Sequence, residues 1–202
     1  MFNKRFGFTI VELMVSVSII VVMFVFVLAN FRTARYGGDL NNTLSQVVDG
    51  LKTVRNMSLG GKQLTNGSFP EGGYGFYLDL NSPSQFILFF APNIGDNYIT
   101  GNEISNGIKN LDKVYFTNIY GTNNSCLANS GGDFGLPGQE CWDDITAGNS
   151  VLELIFNLSG GVFSNISDVH YLGAKFKHER SGREGYFYVS TKSGLITGGF
   201  YE

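Results

Sequence analysis

One carboxylate in this chain stands where a carboxylate is costly. Glu12 lies near the start of an apolar run that continues to Ala29 in MFNKRFGFTIVELMVSVSIIVVMFVFVLAN. Ionised at the centre of a membrane helix, such a group costs about 2.5–3.5 kcal/mol or more. Glu12 therefore calls for a charge partner.

The other residues with chemical potential are few. Cys126 and Cys141 flank the loop-like stretch CLANSGGDFGLPGQEC. If this part of the chain lies outside the cytoplasm, the pair reads as a disulfide. Closing a loop of that size is worth roughly 3 kcal/mol in the loop-entropy account. His170 and His178 have the wrong mutual spacing for zinc, and there is no second cysteine pair. No Ser-His-Asp or Cys-His pattern is marked by spacing, and GGDFGLPGQE lacks the lysine of a phosphate loop. No catalytic residue and no cofactor is expected. Calcium is the one metal worth weighing. Asp96, Asn97 and Glu103 fall in NIGDNYITGNEI, and Asp133, Glu140, Asp143 and Asp144 surround the cysteines. Neither group has the ligand spacing of an EF-hand, so both read as solvated acidic loops. Lys175, Lys177, Arg180, Arg183 and Lys192 cluster near the C-terminus with His178, Glu179 and Glu184 among them. Lys175 and Lys177 alternate, so on a strand they share a face that could meet phosphates. With a formal net charge of −3, the plainer reading is a solvated hairpin rim, and nucleic acid is not expected as a partner.

The elements that position these residues differ sharply along the chain. The first thirty residues are far more apolar than the rest, and the remainder is rich in Gly, Asn, Ser, Tyr and Phe. Three readings compete for the N-terminus. In a secretory signal, Lys4 and Arg5 supply the basic start and Val27-Leu28-Ala29 a cleavage site, but the run is long and Glu12 interrupts it. In a plain anchor, about 20 apolar residues span the bilayer with Lys4 and Arg5 left in the cytoplasm, and Glu12 is unexplained. The third reading rests on the resemblance given below.

Gly37-Gly38 reads as a kink or break. Helical periodicity then resumes in DLNNTLSQVVDGLKTVRNM, with Leu40, Leu44, Val47, Val48, Leu51 and Val54 on one stripe. Asp39 or Asn42 would cap its start, and Gly60-Gly61 would end it. The stripe is too short for a coiled coil and suits a sheet. From residue 61 onward the pattern is short strands. YGFYLDL and QFILFF form a hairpin. KVYFTNI, VLELIFN, GVFSNI, YLGAKFKH, GYFYVST and GLITGGFY follow, about eight in all and largely antiparallel because the links are short. The 27 glycines point to many turns and short strands rather than a helical bundle. The fold class is α+β: a long N-terminal helix, transmembrane in its first half, packed on an antiparallel β-sheet head.

The segment KRFGFTIVELMVSVSII resembles the N-terminus of the type IV pilin and type II secretion pseudopilin superfamily. The shared features are a short basic leader ending in Gly7, then Phe8, then Glu12, then an unbroken apolar helix. The resemblance implies cleavage by a prepilin peptidase between Gly7 and Phe8 and methylation of the new amino terminus at Phe8. It further implies that Glu12 pairs with the amino terminus of a neighbouring subunit, which sets axial register. A buried polar group used for register has this logic. The implied domains are a leader at 1–7, a helix at 8–60 with its membrane part at about 10–29, and a head at 61–202. Implied partners are other pilin or pseudopilin subunits, the peptidase and an inner-membrane assembly platform. The implied location is the cytoplasmic membrane with the head outside, and then a pilus or pseudopilus. LSQVVDGLKTVRNMSL, YGFYLDL and YVSTKSGLI look most like the minor pseudopilins of the general secretion H or fimbrial T group. Some fimbrial T relatives act in DNA uptake, which keeps a DNA-binding alternative open at Lys175, Lys177, Arg180 and Arg183.

Overall fold

The computed structural model describes residues 9–64, 67–122 and 142–201. Among the described residues one helix, α1 (Ile10–Leu59), precedes ten strands: β1 (Gly73–Asp79), β2 (Gln85–Ala91), β3 (Glu103–Asn110), β4 (Val114–Thr122), β5 (Asp143–Asp144), β6 (Val151–Phe156), β7 (Val162–Ser164), β8 (Tyr171–His178), β9 (Glu184–Ser190) and β10 (Ile196–Phe200). The chain divides into two compact units, Met1–Gly38 and Asp39–Glu202.

In the first unit the apolar residues from Ile10 to Leu28 are exposed, and this 19-residue stretch is long and apolar enough to cross a membrane. The helix assignment runs through Gly37 and Gly38 without a break. Asp39 and Asn42 therefore cap nothing, since no helix starts there. Instead Asp39 O accepts a bond from Thr43 Oγ1 at 3.0 Å. The expected end of the helix is present in full. Gly61 has φ +56°. Lys62 N–H reaches Met57 O at 3.0 Å and Gly61 N–H reaches Ser58 O at 3.2 Å. Together these form a Schellman cap.

Among the described residues of the second unit the strands form two five-stranded sheets, with orders β3-β2-β1-β6-β7 and β10-β9-β8-β4-β5, and their pairings are antiparallel. The expected β1–β2 hairpin forms, pairing Gly73 with Ala91 through Tyr77 with Ile87. The links β1–β6 and β4–β8 join strands distant in sequence, and this is why one run of hairpins becomes two sheets. Leu40, Val47, Leu51 and Val54 of α1 are buried in one cluster with Phe76, Phe86 and Phe156 of the first sheet and Phe116, Phe176 and Phe187 of the second. The helical stripe thus packs on sheet, as its spacing requires. Phe76 is the hub. Its ring stacks on Phe86 at 5.1 Å and meets Phe187 edge-on at 5.7 Å, which ties the two sheets together.

Ser58 joins the helix end to the first sheet. Fully buried, its hydroxyl donates to Phe156 O at 2.5 Å and accepts from Tyr74 N–H at 2.9 Å. Tyr74 and Phe156 face each other across β1 and β6, so the hydroxyl serves both strands at once. Leaving two such buried backbone groups unpaired is expensive.

Several glycines lie within the strands themselves. Gly75 faces Phe89, Gly185 faces Phe176 and Gly199 faces Tyr186 in register. A Cβ added at these glycines would come within 2.4, 2.5 and 2.7 Å of the opposing aromatic side chain. Each glycine leaves room for the ring of its cross-strand partner to lie over the backbone.

Candidate functional site

The N-terminal end of α1 is organised by two side chains. Thr9 is the residue before the helix, and its carbonyl accepts the first helical bond from Leu13 N–H at 3.2 Å. Thr9 Oγ1 accepts from Glu12 N–H at 3.2 Å, while Glu12 Oε2 accepts from Thr9 N–H and Thr9 Oγ1, each at 3.1 Å. This reciprocal arrangement is a capping box. It satisfies helix N–H groups that would otherwise be unpaired and sets a negative charge against the positive end of the helix dipole. The pattern Thr-Ile-Val-Glu ahead of an apolar run is the sequence signal for it. The reading of Glu12 as only an intersubunit group passed over that signal. Farther along, Ser16 Oγ bonds Glu12 O at 2.7 Å and Ser18 Oγ bonds Met14 O at 2.8 Å. These hydroxyls are satisfied inside the helix and demand nothing from lipid. Gly7 and Phe8 lie outside the described residues, as do Cys126, Cys141, Asp133 and Glu140.

On the head, Lys175 and Lys177 do share a face of β8, and both address one carboxylate. Lys175 Nζ is 2.5 Å from Glu184 Oε2 and Lys177 Nζ is 3.7 Å from Glu184 Oε1. The Lys175 ammonium also sits 5.1 Å from the centre of the Tyr201 ring. Arg180 and Arg183 are exposed at the β8–β9 turn. His178 is fully buried. Its Nδ1 accepts from the N–H groups of Arg180 and Ser181, both at 3.2 Å, which places the ring proton on Nε2, 3.4 Å from Asp39 Oδ2. This histidine anchors the hairpin turn to α1.

The acidic residues weighed for calcium are engaged in turns. Asp96 Oδ2 takes the backbone and side-chain N–H of Asn93 at 3.0 and 2.8 Å. Glu103 accepts from Tyr98 Oη at 2.6 Å and Gly101 N–H at 3.0 Å, and the Tyr98 bond holds its carboxyl below the usual range. Burial pushes Asp144 up, but bonds from Thr146 and Asn118 outweigh it and hold the group low. Asn97 and Asp143 are exposed. Among the described residues no three His, Cys, Asp or Glu side chains group as metal ligands.

Glu153 was not singled out by the sequence, because it alternates innocuously in VLELIF. It lies on the outer face of the first sheet, 3% exposed, and accepts the backbone N–H of Tyr98. The Tyr98 ring packs against Tyr77 at 4.4 Å and Phe89 at 5.4 Å. Glu153 thereby fastens the 92–102 segment to the sheet. Burial raises its carboxyl above the ordinary value of 4.5, with the Tyr98 N–H partly opposing. A raised carboxyl binds its proton more tightly folded than unfolded. Its stabilising contribution is therefore complete below about 4.5 and is lost as pH rises through the folded value. Glu153→Gln should flatten that part of the stability profile, read as thermal midpoint against pH for the full chain in detergent. A wild-type and variant difference that does not change with pH would contradict the assignment.

Residues 2–28 match the protein family described as the prokaryotic N-terminal methylation motif. The match supports a precursor of the type IV pilin-like superfamily, and the exposed apolar helix is consistent with a membrane anchor. Such a motif implies processing by prepilin peptidase and assembly with other pilin-type subunits. Comparison with curated proteins and with solved structures finds no match to the chain.

Proposed function

We propose that this chain is a structural minor pseudopilin or minor pilin, anchored in the cytoplasmic membrane with its head outside. In this reading the peptide bond between Gly7 and Phe8 is cut, Phe8 is N-methylated, and the subunit enters a type II secretion pseudopilus or a type IV pilus. It primes assembly or caps the tip, in support of secretion or pilus formation. The observation that carries the reading is the motif match over residues 2–28, with Glu12 one turn into an exposed apolar helix. Removing Lys4 and Arg5 takes the formal net charge from −3 to −5. Cys126 and Cys141, once outside the cytoplasm, close a disulfide. The DNA-uptake alternative would use Lys175, Lys177, Arg180 and Arg183. The Glu184 carboxylate shared by both lysines supports the structural reading over it.

The test is the mass of the N-terminal peptide of the protein purified from membranes. It should begin at Phe8 and carry one methyl group, and Gly7→Leu should leave the leader attached. An N-terminus at Met1, or a cut near Ala29, would overturn the proposal.

A further inference from the structure

The segment 92–102 lies over the outer face of the first sheet and is tied down mainly at its ends. Pro92 O accepts from Glu71 N–H at 3.0 Å, and Asn102 O accepts from Phe90 N–H at 2.9 Å. Within it, Gly95 and Gly101 take φ +87° and +103°, angles that favour glycine. A Cβ added at either would meet open space, so no packing braces these two turns. Just past the segment, the β2–β3 pairing shifts register between Ile87 and Phe89. There Asn106 has φ +59°, and a Cβ at Gly107 would lie 2.3 Å from Leu88 O. A bulge of this kind interrupts the regular ladder, so the pairing of Phe89 with Glu103 stands apart from it.

Between its ends the segment reaches across to β6 through Tyr98. The Tyr98 N–H donates to Glu153, its ring covers Tyr77 and Phe89, and its Oη bonds Glu103 at 2.6 Å. Beneath lie Phe89, Ala91 and Ile155, all buried, whereas Ile94 and Ile99 of the segment are exposed. Glu153 is sealed under this cover with one donor on its carboxyl. Asn165 Oδ1 takes the Glu153 N–H instead, at 2.9 Å. Among the described residues no lysine, arginine or histidine pairs with Glu153. The titratable groups on the elements around it are Tyr77 and Asp79 of β1, Asp96 and Tyr98 of the segment, and Glu103 of β3, while β2 and β7 carry none. None of these groups is a cation. A carboxylate buried without a counter-charge gives up its hydration for little in return.

We infer that segment 92–102 is a strap that closes over the sheet while Glu153 is protonated and lifts when Glu153 ionises, uncovering Tyr77, Phe89 and Ile155. The turns at Gly95 and Gly101 are its hinges. Neutral Glu153 fits beneath the strap, and the charged form is better hydrated with the strap raised. Burial pushes the Glu153 carboxyl up, so closure is complete at low pH and is lost as pH climbs through the closed-state value. Glu103 works with the opposite sign. Its bond from Tyr98 holds that carboxyl low, so it would release Tyr98 on acidification. Burial pushes the Tyr77 and Tyr98 phenols up, and both stay neutral throughout. Nothing in this device depends on cleavage before Phe8, so it stands or falls apart from the proposed function.

The test is amide hydrogen exchange of the full chain in detergent, read by mass spectrometry as protection corrected for the intrinsic pH dependence of exchange. Hydroxyl-radical footprinting is run alongside. From about pH 4.5 to about pH 8, protection across 92–102 should fall about tenfold or more, and labelling of Tyr77 and Phe89 should rise. Peptides from β8 and β9 should keep their protection. Glu153→Gln retains an acceptor for Tyr98 N–H but cannot ionise, so its strap should stay closed over the whole range. Gly101→Ala, strained in the closed turn, should lift the strap already at the acidic end, which keeps the test decisive if Glu153→Gln does not fold. Protection of 92–102 that ignores pH overturns the assignment. So does an unchanged pH response in Glu153→Gln, or a loss that spreads in parallel to β8 and β9.

Discussion

Glu12→Ala should remove this subunit from assembled filaments while leaving its insertion in the membrane unchanged. In the proposed function Glu12 is the partner of the positive Phe8 terminus on a neighbour. Breaking a buried ion pair by deleting one member costs about 3–5 kcal/mol, because the other charge is left uncompensated. The capping box adds a second role that alanine also deletes. Its loss costs about 1 kcal/mol of helix stability. Glu12→Gln separates the two. Glutamine can accept from Thr9 N–H and Thr9 Oγ1 as Glu12 Oε2 does, but it carries no charge. If charge pairing drives register, Glu12→Gln should fail to assemble nearly as completely as Glu12→Ala. The readout is the amount of subunit in sheared filaments relative to the membrane fraction. Normal incorporation of Glu12→Gln would show that the cap, and not the charge, is what the residue supplies.

Phe76→Ala should produce the largest loss of head stability, about 3–5 kcal/mol. The ring is fully buried and touches aromatic partners from both sheets, Phe86 and Phe187. Its removal leaves a cavity where two sheets and a helix converge, and such a site has little freedom to collapse. The measurement is chemical unfolding of the full chain in detergent, followed by near-ultraviolet circular dichroism of the head aromatics. Phe163→Ala is the matched control, because that ring is about half exposed at 51% and should change stability far less. Equal effects from the two would place the structural centre of the head elsewhere.

The helical stripe, the β1–β2 hairpin and the Gly60-Gly61 stop were legible because each is local. Their spacing, turn residues or glycines state the geometry directly. The division into two sheets was not legible, since β1–β6 and β4–β8 join strands whose sequences do not specify each other as partners. Strand β3 escaped notice because EISNGIKN has no clean alternation. Its asparagine and glycine build the bulge that breaks the pattern. The site followed the same rule. Glu12 stood out by cost, and its cap was readable in Thr9-Ile10-Val11-Glu12. The burial of His178 and Glu153 depends on what packs over them, which no short window of sequence records.

The glycines that face aromatic rings across the strands carry an implication for how this head tolerates change. At Gly75, Gly185 and Gly199 the missing side chain is occupied by the neighbour's ring, so the two positions together fill one volume. A substitution at the glycine alone should be rejected as firmly as one in the core. The same substitution becomes acceptable when the opposing aromatic is trimmed in compensation. Variation in this head should therefore travel in coupled pairs, Gly75 with Phe89, Gly185 with Phe176 and Gly199 with Tyr186. A library that randomises both members of a pair would recover functional heads that single-site libraries miss.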